Sequence, residues 1–222
     1  MLKKNSFPLL LKFYKQLQDK YLSLRRKKFL KSIERLCPEE VTIISSNCFA
    51  GRILQDLKRE YNTPTLGLYF WAPDYIEFLS NLPFYLKAKI TFVDHSKYPE
   101  GDRRRKEWPH WYPIGLLDNK VEIHFLHYHS EKEAAEKWYR RASRVNLNNL
   151  IIIGMDQNFG TEKEVIEFDQ LPYKNKIYFS RFPLNLSSNE YIPEFKDKSS
   201  VGDPYKKGHV FYKHLINHFL PK

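Results

Sequence analysis

"VTIISSNCFAGRILQDLKREY", residues 41–61, sets a β-branched run against an amphipathic segment, with a short polar loop between them. Val41 to Ser45 reads as a strand. Gly51 to Tyr61 reads as a helix with Ile53, Leu54 and Leu57 on one face. The loop "SSNCFAG" carries Asn47 and Cys48 at the mouth of the turn. Either the turn needs them or a ligand does.

The pattern repeats downstream. "TPTLGLYF" (63–70) reads as a second strand and "KITFV" (89–93) as a third. Between them Asp74 to Leu86 looks helical, with Tyr75, Phe78, Leu79 and Leu82 inward. A β-α-β-α-β start predicts a parallel, doubly wound sheet. Residues 95–111 read as a polar, basic loop, and "YPIGLL" with "VEIHFLHY" could pair as a hairpin. "SEKEAAEKWYRRASRV" (130–145) is a helix whose Ser130 and Glu133 form a capping box. "NLIIIGM" (149–155) is the most apolar strand, followed by a helix at 161–171, a strand at 175–180 and a last helix from His209 to Leu220.

Upstream, Leu10, Phe13, Leu17, Tyr21 and Leu24 recur at helical spacing, and Phe29, Ile33 and Leu36 continue after "RRKK". Residues 1–36 hold eleven Lys and Arg against Asp19 and Glu34, a net +9 out of the chain's +11. The expected fold is therefore α/β, three-layer, with a mostly parallel Rossmann-like sheet. Residues 1–37 form a basic amphipathic helical arm, and 38–222 a single domain. Such an arm attracts anionic lipid headgroups or nucleic acid, or packs on the body with its charges in water.

The 222 residues, 42% hydrophobic and 16% aromatic, suffice for a sizeable core and argue against disorder. Cys37 and Cys48 cannot build a disulfide framework, and no CxxC pattern exists. The extended run between them would hold them roughly 15 Å apart, beyond disulfide reach. "FPLLLKF" is too short to span a bilayer. A cytoplasmic protein, peripheral to the inner membrane, is expected.

Five constellations could carry chemistry. Ser46, Asn47, Cys48 and Gly51 lie where an open α/β sheet binds ligands. There a thiol could be a nucleophile, or simply a small buried residue beside a capping asparagine. On a strand, His124, Leu126 and Tyr128 would face one way, and Phe125, His127 and His129 the other. His127 could serve as a general base. Arg140, Arg141 and Arg144 could grip phosphate. "DRRRKEWPHW" interleaves basic residues with Trp108 and Trp111. Asp156, in "GMDQNFG", could act as base or accept a sugar hydroxyl, or cap a turn. If neighbouring strands are parallel, the loops bearing Cys48, His95 and Asp156 should share one edge of the sheet. There is no P-loop, GxGxxG, GxSxG, HExxH or DxD, and no metal or cofactor is expected.

"SSNCFAG", "YNTPT", "YPIGLLDNKVEIHFLHY", "EAAEKWYRRASRVN" and "FDQLPYKNKIYFS" together resemble the exopolysaccharide or capsular polysaccharide biosynthesis family called domain of unknown function nineteen-nineteen. The likeness spans about residues 38–215. The family pattern favours Asn-Asn-Cys-Trp-Gly-Gly; here Asn47, Cys48 and Gly51 match, while Ser46, Phe49 and Ala50 depart. The resemblance implies an α/β fold and a place in bacterial surface-glycan assembly, and it turns expectation away from nucleic acid. The expected function is a glycosyl-, phospho- or acyltransferase. Its partners are a nucleotide sugar or other activated donor, a glycan acceptor and an anionic membrane surface. Cys48, His127 and Asp156 are its catalytic candidates; Ser46, Asn47, Gly51, Arg140, Arg141 and Arg144 are its binding candidates. The alternative is a non-catalytic glycan-binding or scaffolding partner. No oligomeric state follows from the sequence.

Overall fold

The computed structural model describes residues 7–220. In chain order its elements are α1 (Phe7–Lys27), α2 (Leu30–Leu36), β1 (Thr42–Ser45), α3 (Phe49–Asp56), α4 (Ala72–Ser80), α5 (Leu82–Tyr85), β2 (Ile90–Val93), α6 (Pro99–Glu107), β3 (Ile114–Leu117), β4 (Val121–His124), α7 (Glu131–Ala142), β5 (Leu150–Met155), α8 (Glu162–Gln170), β6 (Lys176–Ser180), β7 (Asn189–Tyr191) and α9 (Pro204–Phe219). They group into two compact units, one of residues 1–36 with 202–222 and one of residues 37–201.

In the first unit α9 packs against α1 and α2. Arg26 is buried there, and its side chain lies so close to Gly208 that a Cβ at that position would collide with it. Tyr14, Leu17, Tyr21 and Leu24 of α1 are exposed. Leu10 and Phe13, which continue that stripe in sequence, lie outside the residues whose side chains are described.

The second unit is mixed α/β. A four-stranded parallel sheet has the order β1-β5-β6-β7, and a separate antiparallel sheet the order β2-β3-β4. The parallel sheet arises because β1 is buried along its whole length and β5 from its second residue onward. Strands covered on both faces carry continuous apolar runs. Tyr75 on α4 donates its hydroxyl toward Ile44 O (3.2 Å) and Ile153 O (3.0 Å), so α4 is tied to both β1 and β5. A single buried apolar cluster joins Ile44, Ile152 and Tyr178 of the parallel sheet to Val121 and Ile123 of the antiparallel one. Each such side chain contributes about 1.5–3 kcal/mol by leaving water.

Three expectations change. "KITFV" (β2) pairs antiparallel with β3 rather than joining the parallel sheet. "TPTLGLYF" makes only an isolated antiparallel bridge, Tyr69 with His124, because Pro64 and the left-handed Gly67 (φ 67°) interrupt it. Residues 99–107 of the supposed basic loop are α6, opened by Pro99, with Glu100 and Asp102 in its first turn and Arg104, Arg105 and Lys106 in its last. That charge order suits the helix dipole. The hairpin of β3 and β4 forms as expected.

Candidate functional site

The loops that follow β1 and β5 meet at the carboxyl ends of those parallel neighbours. Asn47 Nδ2 lies 2.9 Å from Gln157 Oε1 and 3.2 Å from Met155 Sδ, while its Oδ1 accepts from Phe49 N at 3.0 Å. Ser45 Oγ accepts from Ala50 N (3.0 Å) and donates to Asn47 O (2.5 Å). Asn47 therefore ties the first turn of α3 and also staples two loops. Ser46 is buried, and its carbonyl accepts from Phe70 N. Cys48 is half-buried with Sγ 3.4 Å from Leu68 O. Gly51 is buried, and a Cβ there would meet Leu66 Cδ2 at 2.9 Å. Cys37 is buried, and burial pushes its thiol up to about 12 despite nearby Arg59.

Asp156 is buried just past β5. Its Oδ1 accepts from Val201 N (2.6 Å) and its Oδ2 from Arg181 N (2.9 Å), with Arg181 Nε 3.8 Å away. Burial raises its pKa above the ordinary 3.8, against the pull of these donors. Asp156 thus fastens the segments after β6 and before α9 to the end of β5.

Above it opens a cleft of about 460 Å³. Arg103, Arg104, Arg181, Trp71, Phe159 and the α8 cap residue Thr161 are among its walls. Arg104 bonds Asn158 Oδ1 at 2.7 Å and lies 4.7 Å over both the Tyr69 and Trp71 rings. Phe159 stacks on Trp71 (4.5 Å, 20°) yet remains 43% exposed. Asn158 and Phe159 both have left-handed backbone, φ 55° and 69°. For a phenylalanine that conformation costs energy, and such strain clusters at functional sites.

Behind Trp71 lies a buried polar network that sequence reasoning missed. Glu122 Oε1 is 2.7 Å from His124 Nε2 and accepts from Ser96 Oγ at 2.5 Å; Oε2 accepts from Lys97 N at 2.7 Å. His124 Nδ1 faces Tyr112 Oη at 3.4 Å. Trp71 Nε1 stands 3.0 Å from the same Nε2. Asp74 accepts from Lys97 Nζ (2.6 Å), Tyr98 Oη (2.6 Å) and Glu122 N (2.8 Å). The legible signal was two polar residues, Glu122 and His124, on one face of the apolar run "VEIHF".

The remaining candidates lie elsewhere. Strand alternation stops at His124, because residues 125–128 form a turn closed by Tyr128 N to Phe125 O. Phe125 and Tyr128 consequently pack on each other instead of pointing apart (5.5 Å). His127 is exposed to solvent on one side and flanked by Trp108 on the other (6.3 Å), while His110 and His129 pair at 5.0 Å. Burial, then the charges of His110 and His129, lowers the His127 pKa. His95 is exposed and bonds Asp102 at 3.2 Å, following β2 in the antiparallel sheet. Arg140, Arg141 and Arg144 sit at the end of α7. Two residues later Asn146 N bonds Thr42 Oγ1 at the amino end of β1, the opposite edge of the sheet from Asn47 and Asp156. The structure thus joins the Cys48 and Asp156 loops, while Arg144 reaches Glu60 and Tyr61 and Arg141 reaches Tyr128 Oη. Among the described residues no group of three or more His, Cys, Asp or Glu is placed to hold a metal ion.

An uncharacterized protein of Haemophilus influenzae is 40% identical over 173 residues, covering 78% of this chain and 77% of that protein. The family model described as a domain of unknown function (DUF1919) matches residues 20–220, which include both sheets and the stapled loops. The chain belongs to the DUF1919 family.

Proposed function

We propose that the protein is a transferase acting on a bacterial surface-glycan precursor at the inner membrane face. Its donor would bind in the cleft beside Phe159. The observation that carries this reading is an exposed aromatic ring, held in left-handed backbone against Trp71 just past β5, beside Arg181 at the end of β6 and Arg103 and Arg104 of α6. An apolar ring face suits a sugar or base, and guanidinium groups suit the phosphates of an activated donor. In a glycosyl transfer the acceptor hydroxyl oxygen bonds to the donor's anomeric carbon as the bond to the leaving phosphate breaks, and the hydroxyl proton passes to the departing phosphate. Arg104 and Arg181 would meet the charge on that phosphate.

A membrane location agrees with α1. Tyr14, Leu17, Tyr21 and Leu24 are 51–64% exposed on one stripe, with Lys20, Arg25 and Lys27 also exposed. A basic helix with an exposed apolar stripe suits the interface of an anionic bilayer. Among the described residues no helix is long and apolar enough to cross a membrane.

A second reading, a non-catalytic glycan binder, is favoured by one feature. Asp156, the carboxylate at the cleft floor, engages both oxygens with backbone N–H groups. Thermal-shift titration with nucleotide sugars and with oligosaccharides, followed by mass analysis of a lipid-linked acceptor, separates the two. A donor-dependent shift with product supports transfer; an oligosaccharide shift without turnover supports binding. Absence of any shift rejects both.

A further inference from the structure

α6 has no apolar stripe, and its side chains sort onto two flanks. Glu100, Arg103, Arg104 and Glu107 border the cleft beside Phe159. Asp102, Arg105 and Lys106 border a second recess, of about 510 Å³. At about 3.6 residues per turn these two sets fall on opposite sides of the helix. Gly101 lies between them against the body, where a Cβ would meet His124 Cε1 at 2.9 Å. One short helix therefore divides two recesses.

Beyond α6 the chain carries Trp108 and Trp111 to the wall of the second recess, with His110 between them. Trp111 is 52% exposed and stacks on no other ring among the described residues. Trp108 is half-buried, with edge contacts to His110 at 6.4 Å and His127 at 6.3 Å. Its indole N–H is shielded from water and has no hydrogen-bond partner among the described residues. Lys106 is exposed and likewise has no side-chain partner there. Arg105 is held by Asp94 O and by Asp102 at 3.5 Å. Asp102, the carboxylate of this wall, is engaged by Ser96 N (2.9 Å) and His95 Nδ1 (3.2 Å).

A single exposed tryptophan needs no explanation. Here the open indole face stands beside a cation without an ion-pair partner and a donor without an acceptor. A buried donor left unmatched is costly, and an indole N–H can be answered only by an acceptor. An indole face suits the apolar face of a sugar ring. A neutral sugar would leave the Lys106 charge unmatched, whereas an acidic sugar brings a carboxylate to Lys106 and an acceptor to Trp108.

We propose that the recess beside Trp111 binds an acidic sugar. Trp111 stacks on the ring, and Lys106 and Trp108 Nε1 meet its carboxylate. Resting on the donor cleft of the reading above, the site holds the glycan acceptor on the other flank of α6, a helix about 10 Å across.

The test is calorimetric titration of the full chain with two acidic oligosaccharides, sialyllactose and tetragalacturonate, beside lactose and maltotetraose as neutral counterparts. Wild type should bind an acidic probe about tenfold or more tightly than its neutral counterpart, the scale of one charged hydrogen bond. Lys106→Ala should erase that preference. Trp111→Ala should weaken binding about tenfold, and Trp111→Phe should retain part of it. Both side chains are exposed, and an unchanged melting temperature shows that each variant is folded. Three results overturn the proposal: wild type binds neither acidic probe, it binds acidic and neutral probes equally, or Trp111→Ala binds like wild type. Phe159→Gly should leave these affinities unchanged; their loss there, with Trp111→Ala unaffected, would place the glycan in the donor cleft and overturn the proposal as well. Failure of nucleotide sugars to bind rejects the donor cleft and the acceptor role, while the acidic-sugar site stands or falls on these titrations.

Discussion

Asn47 Nδ2 donates to Gln157 Oε1 at 2.9 Å across the ends of β1 and β5, and Asn47 Oδ1 accepts from Phe49 N. One buried side chain therefore holds a helix start and a loop junction. Asn47→Ala should cost about 1–3 kcal/mol, a cap plus an unmatched buried amide. Urea unfolding measures it. In a double-mutant cycle with Gln157→Ala the losses should be less than additive, since both variants remove the same bond. Fully additive losses would mean that the contact does not stabilise the fold.

Gly154 lies inside β5, where a Cβ would run into the Tyr178 ring on β6. Gly154→Ala should destabilise by about 1–3 kcal/mol through overpacking. Pairing it with Tyr178→Leu should recover part of the loss, because the smaller side chain vacates the space. Thermal unfolding of both variants decides. A neutral Gly154→Ala would show that the ring moves aside freely.

His124 and Glu122 make stability pH-dependent. Burial lowers the His124 pKa below its ordinary 6.5, despite the opposing pull of Glu122. Burial alone would raise Glu122, but hydrogen bonds from His124, Ser96 and Lys97 outweigh it and hold it below 4.5. A group with a depressed folded pKa stabilises above its unfolded pKa and loses that contribution as pH falls. The loss should begin below about pH 6.5 with His124 and continue below about 4.5 with Glu122. Asp74 and Asp156, raised by burial, act in the opposite sense. The informative quantity is therefore a difference. His124→Gln should lower stability at pH 7 by about 1–3 kcal/mol while flattening its fall between pH 7 and 5. Parallel pH curves for the two proteins would refute the assignment.

How much of this was legible follows from where each signal resides. The continuous apolar runs of β1 and β5 announced a parallel pair, and Asn47 and Asp156 could be placed at one edge because both closely follow such runs. β2 reads locally like another parallel strand. Its partner was decided by the β3–β4 hairpin, which offered an antiparallel edge nearby. α6 escaped notice because helical periodicity needs apolar residues, and "PEGDRRRKE" has none to repeat. Arg140 and Arg141 of α7 and Arg144 just beyond it were assigned to the donor on chemistry alone. No local pattern shows that a helix running toward the start of β5 delivers its end to the far edge of the sheet. Phe159 carried no signal at all, since exposure and backbone strain exist only in the folded chain.

Phe159 therefore gives the sharpest test of the proposed cleft. Its backbone is left-handed (φ 69°), a region that glycine enters freely and phenylalanine does not. Asn158 is fixed beside it by Ala72 N to its carbonyl (2.8 Å) and by Arg104 to its side chain (2.7 Å), so the strain is imposed by the surroundings. Phe159→Gly relieves the strain but removes the ring stacked on Trp71. For a merely structural ring, the lost aromatic pair, worth about 0.5–1.5 kcal/mol, would roughly cancel the relief or exceed it. Melting temperature should therefore change little. Affinity for the sugar-bearing ligand that shifts wild type should fall about tenfold, the scale of one lost ring contact. Phe159→Tyr, which keeps the ring, should retain that affinity. A variant lacking the ring that binds as tightly as wild type would remove Phe159 from the site, and with it the observation on which the donor cleft rests.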